Sequence, residues 1–344
     1  MNTQTQICEI NDSPQNDKER NMVDVSVIVV AWNVKEFVRN CLKSVYEQTN
    51  GITFEVIYVD NASKDGTCEM VARDFPQVIK IKNNENKGFI MANNQGIEIA
   101  KGRYILLLNS DTIVLNNAIG KTVEFADKHP EAAVVGCKVF NPNLSLQRTC
   151  FKYPSVLNMF LSATYLYKVF PRSRLFGREH MTWWDFDDVR EVDVVCGCFS
   201  LVRRKAIEQV GLMDQQYFVY GDDPDWCFRF RQNDWKIMFT PDAEIIHYGG
   251  QTTKKAADKF KLQLFGSKLI FMKKHRSRSA FVFACLLTAI FMLLRVPYWI
   301  TAALGRKDRN KAIQTAKTYL KGGFYCLTNW KKLLLNKQVI EQKL

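Results

Sequence analysis

The sequence predicts an α/β fold on a doubly wound, mostly parallel sheet, and three observations carry that expectation. Four short apolar runs alternate with three helical segments between residues 23 and 109. The runs are β-branched and nearly continuous, as in strands covered on both faces. Their ends are rich in Asn, Asp, Ser and Gly, which suits the loops where such sheets bind ligands.

The elements follow in order. VDVSVIVVA (23–31) reads as the first strand. VKEFVRNCLKSVYEQT (34–49) has helical spacing, with Phe37, Cys41, Leu42, Val45 and Tyr46 on one face. FEVIYVD (54–60) is the next strand, DGTCEMVARDF (65–75) a helix closed before Pro76, and VIKIK (78–82) a third strand. GFIMANNQGIEIAK (88–101) is a helix and RYILLLN (103–109) a very apolar strand. Residues 140–190 are irregular and rich in aromatics. EVDVVCGCFSLVRR (191–204) then reads as one strand, RKAIEQVG as a helix stopped at Gly211, and PDWCFRFRQND (224–234) as another helix.

The chemistry changes near Lys254. Residues 255–275 read as a basic amphipathic helix, followed by the apolar run AFVFACLLTAIFMLL (280–294). That run is short of the roughly twenty residues a span needs, unless Arg295 snorkels and the stretch to Leu304 is included. Residues 254–344 hold 20 basic and 3 acidic residues, a net +17, whereas the preceding 253 hold 28 and 32, a net −4. A nucleic-acid-binding domain would not confine its positive charge to a tail laced with apolar residues, so nucleic acid is not an expected partner. Basic flanks around an apolar helix fit an anionic membrane surface instead. The expected organisation is a polar leader (1–21), a catalytic domain (22–253) and a membrane-associating helical region (254–344). The ten cysteines have no zinc-site spacing and fit a reducing cytoplasm.

Three constellations have chemical potential. Asn33 and Asp60 end strands, and Asp60 suits a base or ribose contact, though a turn or cap explains it equally. LLLNSDT (106–112) delivers Ser110 and Asp111 from a buried strand; a carboxylate there suits a divalent cation on a diphosphate, or an Asx-turn. YGDDPDWCFR (220–229) crowds Asp222, Asp223 and Asp225. Like charges this close raise a pKa and suit a general base, while Pro224 equally makes Asp223 a helix cap. His247, ahead of two glycines, suits a metal shell or a phosphate.

In this order the motifs resemble family 2 glycosyltransferases of GT-A fold, particularly the bacterial rhamnosyltransferase-like branch. The resemblance spans residues 25–252 and also rests on VDNASKDGT (59–67), NKGFIMANNQGI (86–97), GCFSLVRR (197–204) and HYGGQT (247–252). It implies that Asp60 contacts the base, with backbone from Ala31 to Asn33 as the other wall. It implies that Asn86, Gly88, Asn93 and Asn94 line the donor pocket. Asp111, helped by His247, would hold Mg2+ or Mn2+, and Asp223 would be the base of an inverting displacement, with Asp222 where the family usually has Glu. The family often has Asp at the position of Asn109. Gly197, Trp183 and Trp184 are candidate acceptor contacts, the two rings as sugar-stacking faces, though packing in an aromatic core explains the rings equally. The implied partners are a nucleotide-sugar donor and a saccharide or lipid-linked saccharide acceptor at the cytoplasmic face of the membrane. A nucleotidyltransferase or a non-catalytic nucleotide-sugar-binding protein is the competing expectation, and the absence of a Gly-rich triphosphate loop near the first strand weighs against the former.

Overall fold

A computed structural model describes residues 23–217, 221–249, 257–305 and 309–335. The expected leader (1–21), Tyr220 and the end of the HYGGQT motif lie outside the described residues. The first half follows the expected alternation: β1 (Val25–Ala31), α1 (Lys35–Gln48), β2 (Phe54–Asp60), α2 (Thr67–Asp74), β3 (Ile79–Lys82), α3 (Phe89–Ile99) and β4 (Tyr104–Asn109). These strands lie parallel in the order β3-β2-β1-β4. The register sets Ala31 beside Asp60 and Val30 beside Asn109. All three strand ends therefore open on one edge, because parallel strands linked by helices must finish at the same end.

The second half departs from the parallel expectation. After β4 the chain reverses into β5 (Thr112–Leu115), then forms α4 (Ala118–Lys128), β6 (Ala132–Phe140), β7 (Leu146–Gln147), β8 (Cys150–Phe151), α5 (Val156–Thr164) and α6 (Leu166–Val169). The stretch expected as one strand over 191–204 is broken into β9 (Arg190–Glu191), β10 (Val194–Val195) and β11 (Phe199–Arg203). Each piece has a different partner: β12 (Lys236–His247) for β9, β8 for β10, and β4 with β6 for β11. The chain turns at Asp193, whose carboxylate accepts from Lys152 Nζ at 3.1 Å and from the Tyr153 N–H at 3.2 Å. One strand cannot satisfy three neighbours pointing three ways, so the apolar run divides.

The break serves the site. β11 runs antiparallel to β4, with Phe199 opposite Leu108, so the residues entering β11 sit at the edge where β4 ends. The Asn109 N–H donates to the Cys198 carbonyl at 3.1 Å. β12 runs antiparallel to β5 and finishes with His247 opposite Thr112. Between β11 and β12 lie α7 (Arg204–Val210) and α8 (Asp222–Arg231), the latter entered through Gly221 at φ 82°, a left-handed conformation that glycine tolerates.

Three helices complete the described chain: α9 (Ala257–His275), α10 (Arg278–Gly305) and α11 (Arg309–Leu335). The apolar run expected over 280–294 belongs to a longer helix, because α10 continues through Arg295 and Pro297. Arg295 places its guanidinium over the rings of Phe291 (3.8 Å) and Tyr165 (4.7 Å), so its charge does not end the helix. By length and composition α10 is apolar enough to cross a membrane. α11 packs back along it antiparallel: Met292 meets Tyr319, and at Gly323 an added Cβ would lie 2.8 Å from Leu293. Leu269, Phe281, Cys285 and Cys326 belong to the same buried cluster as Ile28, Ile57 and Phe239. The C-terminal helices thus share the core of the sheet.

Candidate active site

The carboxyl edge of the sheet gathers two pairs of titratable side chains. The first forms where β4 ends and β12 ends. The Asp111 carboxylate lies 3.2 Å from His247 Nε2, and both side chains are about nine-tenths buried. Asn109 Nδ2 reaches the same nitrogen at 3.3 Å. On the other side of the ring, His247 Nδ1 is 2.6 Å from Gln147 Oε1. Gln147 Nε2 donates to Asn141 Oδ1 at 2.8 Å, which fixes the amide so that its oxygen faces the imidazole. An amide oxygen only accepts, so Nδ1 carries a proton; Nε2 donates to Asp111 when the imidazole is charged and presents its lone pair to the cleft when it is neutral. Burial pulls the His247 pKa down, but the hydrogen bond and charge of Asp111 outweigh it and the net shift is upward.

The second pair heads α8. Asp222 is buried, and desolvation lifts its carboxyl to about 6, with the nearby Asp225 charge adding to the rise. Asp223 is lifted well above the usual range by desolvation first, then by Asp222 and Cys196. Its carboxylate rests against Gly197, whose N–H donates to it. A Cβ on Gly197 would sit 2.7 Å from Asp223 Oδ1, so the close approach requires glycine. Cys196 stands between the two pairs and feels both the His247 imidazole and the Asp222 carboxylate. A raised carboxyl opposite a carboxylate–imidazole pair is the arrangement expected of proton removal beside anion or cation binding.

Asp225 departs from the expected supporting role. It faces away from the cleft and is 1% exposed. It accepts from Tyr217 Oη (3.2 Å), Arg229 Nε (2.9 Å), Lys274 Nζ (2.6 Å) and His275 Nε2 (2.7 Å). Burial alone would raise its pKa, but these donors hold it down at about 2. The residue clasps the end of α9 to the helix that bears Asp223.

The residues expected at the nucleotide form a hydrogen-bonded edge. Ala31 is buried at the end of β1. Asn33 adopts φ 55° and ties two loops, its N–H donating to Ser63 Oγ (3.0 Å) and its Oδ1 accepting from the Lys64 N–H (2.7 Å). Asp60 is fully buried, and its oxygens accept from Tyr58 Oη (2.9 Å) and the Ser63 N–H (3.2 Å). A ligand reaches that carboxylate only when the Ser63 loop yields. Asn61, absent from the sequence-based set, is the hub: it donates to Asn86 Oδ1 (2.8 Å) and the Gly88 carbonyl (3.1 Å), and accepts from the Lys87 N–H (2.9 Å). Gly88, at φ 82°, begins α3. Asn93 is buried and donates to the Phe89 carbonyl at 2.9 Å.

Two expected contacts are corrected. Asn94 does not line a donor pocket: its amide exchanges hydrogen bonds with the backbone of Met213, donating at 2.9 Å and accepting at 3.2 Å. Trp184 offers no face to a sugar. It is 3% exposed, stacked 4.0 Å from Phe186 and edge-on to Phe239. Trp183 is half-buried between the guanidinium groups of Arg174 and Arg190. Ser110 is buried beside Asp111 in the turn out of β4.

Among the described residues no group of three or more His, Cys, Asp and Glu side chains is arranged to hold a metal ion. Asp111 and His247 nevertheless fit a cation that takes its remaining ligands from a substrate diphosphate. One hard oxygen and one imidazole nitrogen converge, and Gln147 fixes the ring as an outer ligand shell would.

Known proteins share this architecture. A mannosyltransferase of Pyrobaculum calidifontis, solved in complex with GDP-Man and Mn2+, superposes with a TM-score of 0.54 at 17% identity over 90% of this chain and 88% of that one. Staphylococcus aureus TarS (residues 1–349) gives 0.50 at 15% identity over 91% and 83%. Both are GT-A folds, as is this one. An N-acetylglucosaminyl-diphospho-decaprenol L-rhamnosyltransferase of Mycobacterium tuberculosis is 26% identical over 58% of this chain and 67% of its own length. An Escherichia coli UDP-Glc:α-D-GlcNAc-diphosphoundecaprenol β-1,3-glucosyltransferase is 35% identical over 30% of this chain and 41% of its own. The profile of "Glycosyl transferase family 2" matches residues 26–211, so the chain belongs to that glycosyltransferase family.

Proposed function

We propose that the protein is an inverting glycosyltransferase that moves a sugar, with L-rhamnose the leading candidate, from a nucleoside-diphosphate sugar to a hydroxyl of a diphosphate-linked lipid saccharide. It would act in cell-surface polysaccharide synthesis at the cytoplasmic face of the membrane, with residues 22–253 as the catalytic unit and the helices after 254 against the lipid. The observation that carries this is the facing of Asp111–His247 and Asp222–Asp223 across Cys196 and Gly197 at one sheet edge. The Mycobacterium tuberculosis and Escherichia coli relatives are named for diphosphoprenol-linked N-acetylglucosamine acceptors, which supports the acceptor class.

Asp223 would take the acceptor proton, and its raised pKa keeps its basicity closer to working pH than an exposed carboxylate's. Asp222, also raised, discourages ionisation of both at once and so strengthens whichever is free. Asp111 and His247 would hold Mg2+ or Mn2+, which supplies charge neutralisation for the departing nucleoside diphosphate. Gln147 keeps the imidazole in the tautomer that this requires.

Titration calorimetry with dTDP, UDP and GDP tests the reading. At least one nucleotide should bind on the order of tenfold more tightly with Mn2+ than with a chelator, and Asp111→Ala should erase that difference. Equal affinity with and without the cation for every nucleotide refutes the metal assignment. Gly197→Ala should lower kcat by about a hundredfold through displacement of Asp223, with the thermal transition little changed; steady-state kinetics and a melting curve check both.

A further inference from the structure

An apolar groove of about 420 Å3 lies between α5 and α10, lined by Val156, Leu157, Phe160, Phe283, Leu286 and Leu287. We propose that it seats the prenyl chain of the lipid-linked acceptor. The proposal rests on the acceptor class inferred above and adds where the chain lies.

The lining restricts the occupant to hydrocarbon. All six side chains are apolar, and an extended peptide laid there would leave its backbone N–H and C=O groups without partners. Four of them stay exposed although they are large: Leu157 (46%), Phe160 (51%), Phe283 (58%) and Leu286 (44%). Such a patch on a folded surface marks a binding site for apolar matter. The volume falls in the range of small-molecule sites.

Continuity with the catalytic edge favours the acceptor's own chain over a bulk lipid. Pro154 lies two residues before Val156, and its carbonyl accepts from Arg276 Nε at 3.4 Å. The Arg276 guanidinium lies 5.2 Å over the ring of Phe228, and Tyr153 packs edge-on against the same ring at 5.1 Å. Phe228 stands on α8, five residues after Asp223 and so within about 8 Å of it along the helix axis. Phe228 lies about 140° round α8 from Asp223, so the Arg276 guanidinium, held at the groove's end by the Pro154 carbonyl, stands against the helix that bears the base and offers a cation to a lipid diphosphate. One wall, α5, follows the strand pair β8–β10 that leads into Gly197, and the other is the apolar helix α10.

Photolabelling of the full-length protein tests this directly. The probe is a diazirine-tagged farnesyl diphosphate, with adducts mapped by mass spectrometry. Adducts should concentrate in 156–160 and 283–287. Unlabelled farnesyl diphosphate should suppress them at least tenfold more effectively than isopentenyl diphosphate, because each buried methylene is worth about fourfold in affinity. Vesicles of phosphatidylglycerol should not suppress them. Leu286→Trp, which fills the groove from an exposed position, should cut labelling at least tenfold, and a melting curve shows whether the variant is folded. Adducts elsewhere on the wild-type protein overturn the proposal, as does equal competition by plain phospholipid, which would make the groove a bilayer contact. Groove labelling without sugar transfer to any diphosphate-linked saccharide would overturn the function reading alone. Transfer that is indifferent to prenyl length, without groove labelling, would overturn the groove alone.

Discussion

Asp223→Asn should reduce sugar transfer by about a thousandfold or more while leaving nucleotide binding nearly intact. The same substitution should make the protein melt at a higher temperature at pH 7. Both results follow from one fact: the half-buried Asp223 carboxyl lies beside Asp222, and desolvation followed by that neighbouring charge raises its pKa. A carboxyl whose folded pKa lies above its unfolded value binds its proton more tightly in the folded state. It costs nothing below the unfolded value, near pH 4, and costs progressively more stability as pH rises through the folded value. Asp222, lifted to about 6, by itself costs on the order of 3 kcal/mol at pH 7. An amide at 223 removes a carboxyl whose ionisation the site opposes and relieves its neighbour. The acid limb of the kcat/KM profile should accordingly show an apparent pKa belonging to the pair, well above that of a free carboxylate. Normal turnover in Asp223→Asn would remove the residue from the mechanism; a lowered melting temperature would refute the electrostatic account.

Asp225→Asn should do the opposite. The folded pKa of Asp225 is held at about 2, below its ordinary value, because His275, Lys274 and Arg229 together outweigh the cost of burial. The charge therefore contributes stability above pH 4, on the order of 2 kcal/mol, which disappears as pH falls toward 2. Losing the carboxylate strands three basic groups in a largely buried site, which costs about 3–5 kcal/mol. For a domain of this size the midpoint should fall by about 10 °C, readable by calorimetry at pH 7. Transfer measured well below the new midpoint should survive to within about tenfold, because Asp225 touches no reacting group. The residue has a second consequence. Lys274 and His275 end α9, directly ahead of the apolar helix α10, so the clasp couples the base-bearing helix to the helices expected at the membrane. Proteolysis within 257–335 should accelerate in the variant as those helices loosen.

The two aspartates are two positions apart on one helix and have opposite fates, which no property of DDPD distinguishes. Helical geometry turns Asp223 toward Gly197 and Asp225 about 200° away, toward α9. The identity of the groups waiting on each side is decided by chain segments 26 and 50 residues distant.

Local pattern was enough for the early strands and helices, because period and apolarity are properties of neighbouring residues. It was enough to place Asp111, Asp222 and Asp223 at element ends, because a polar residue at the end of a buried strand, or at the head of a helix, is visible within a few positions. The order of the motifs was enough for the family. Packing between distant segments decided the rest. The apolar run 191–204 divides because three strands compete for it. Trp184 enters the core because Phe186 and Phe239 flank it. Asn94 is consumed by Met213. His247 owes its tautomer to Gln147, a hundred residues earlier in the chain. Arg295 ends the apolar segment in the sequence yet continues the helix in space, since two aromatic rings accept its charge. Hydrogen-bond and charge partners are chosen after the backbone has folded, so a side chain's type can be read locally but its occupation cannot.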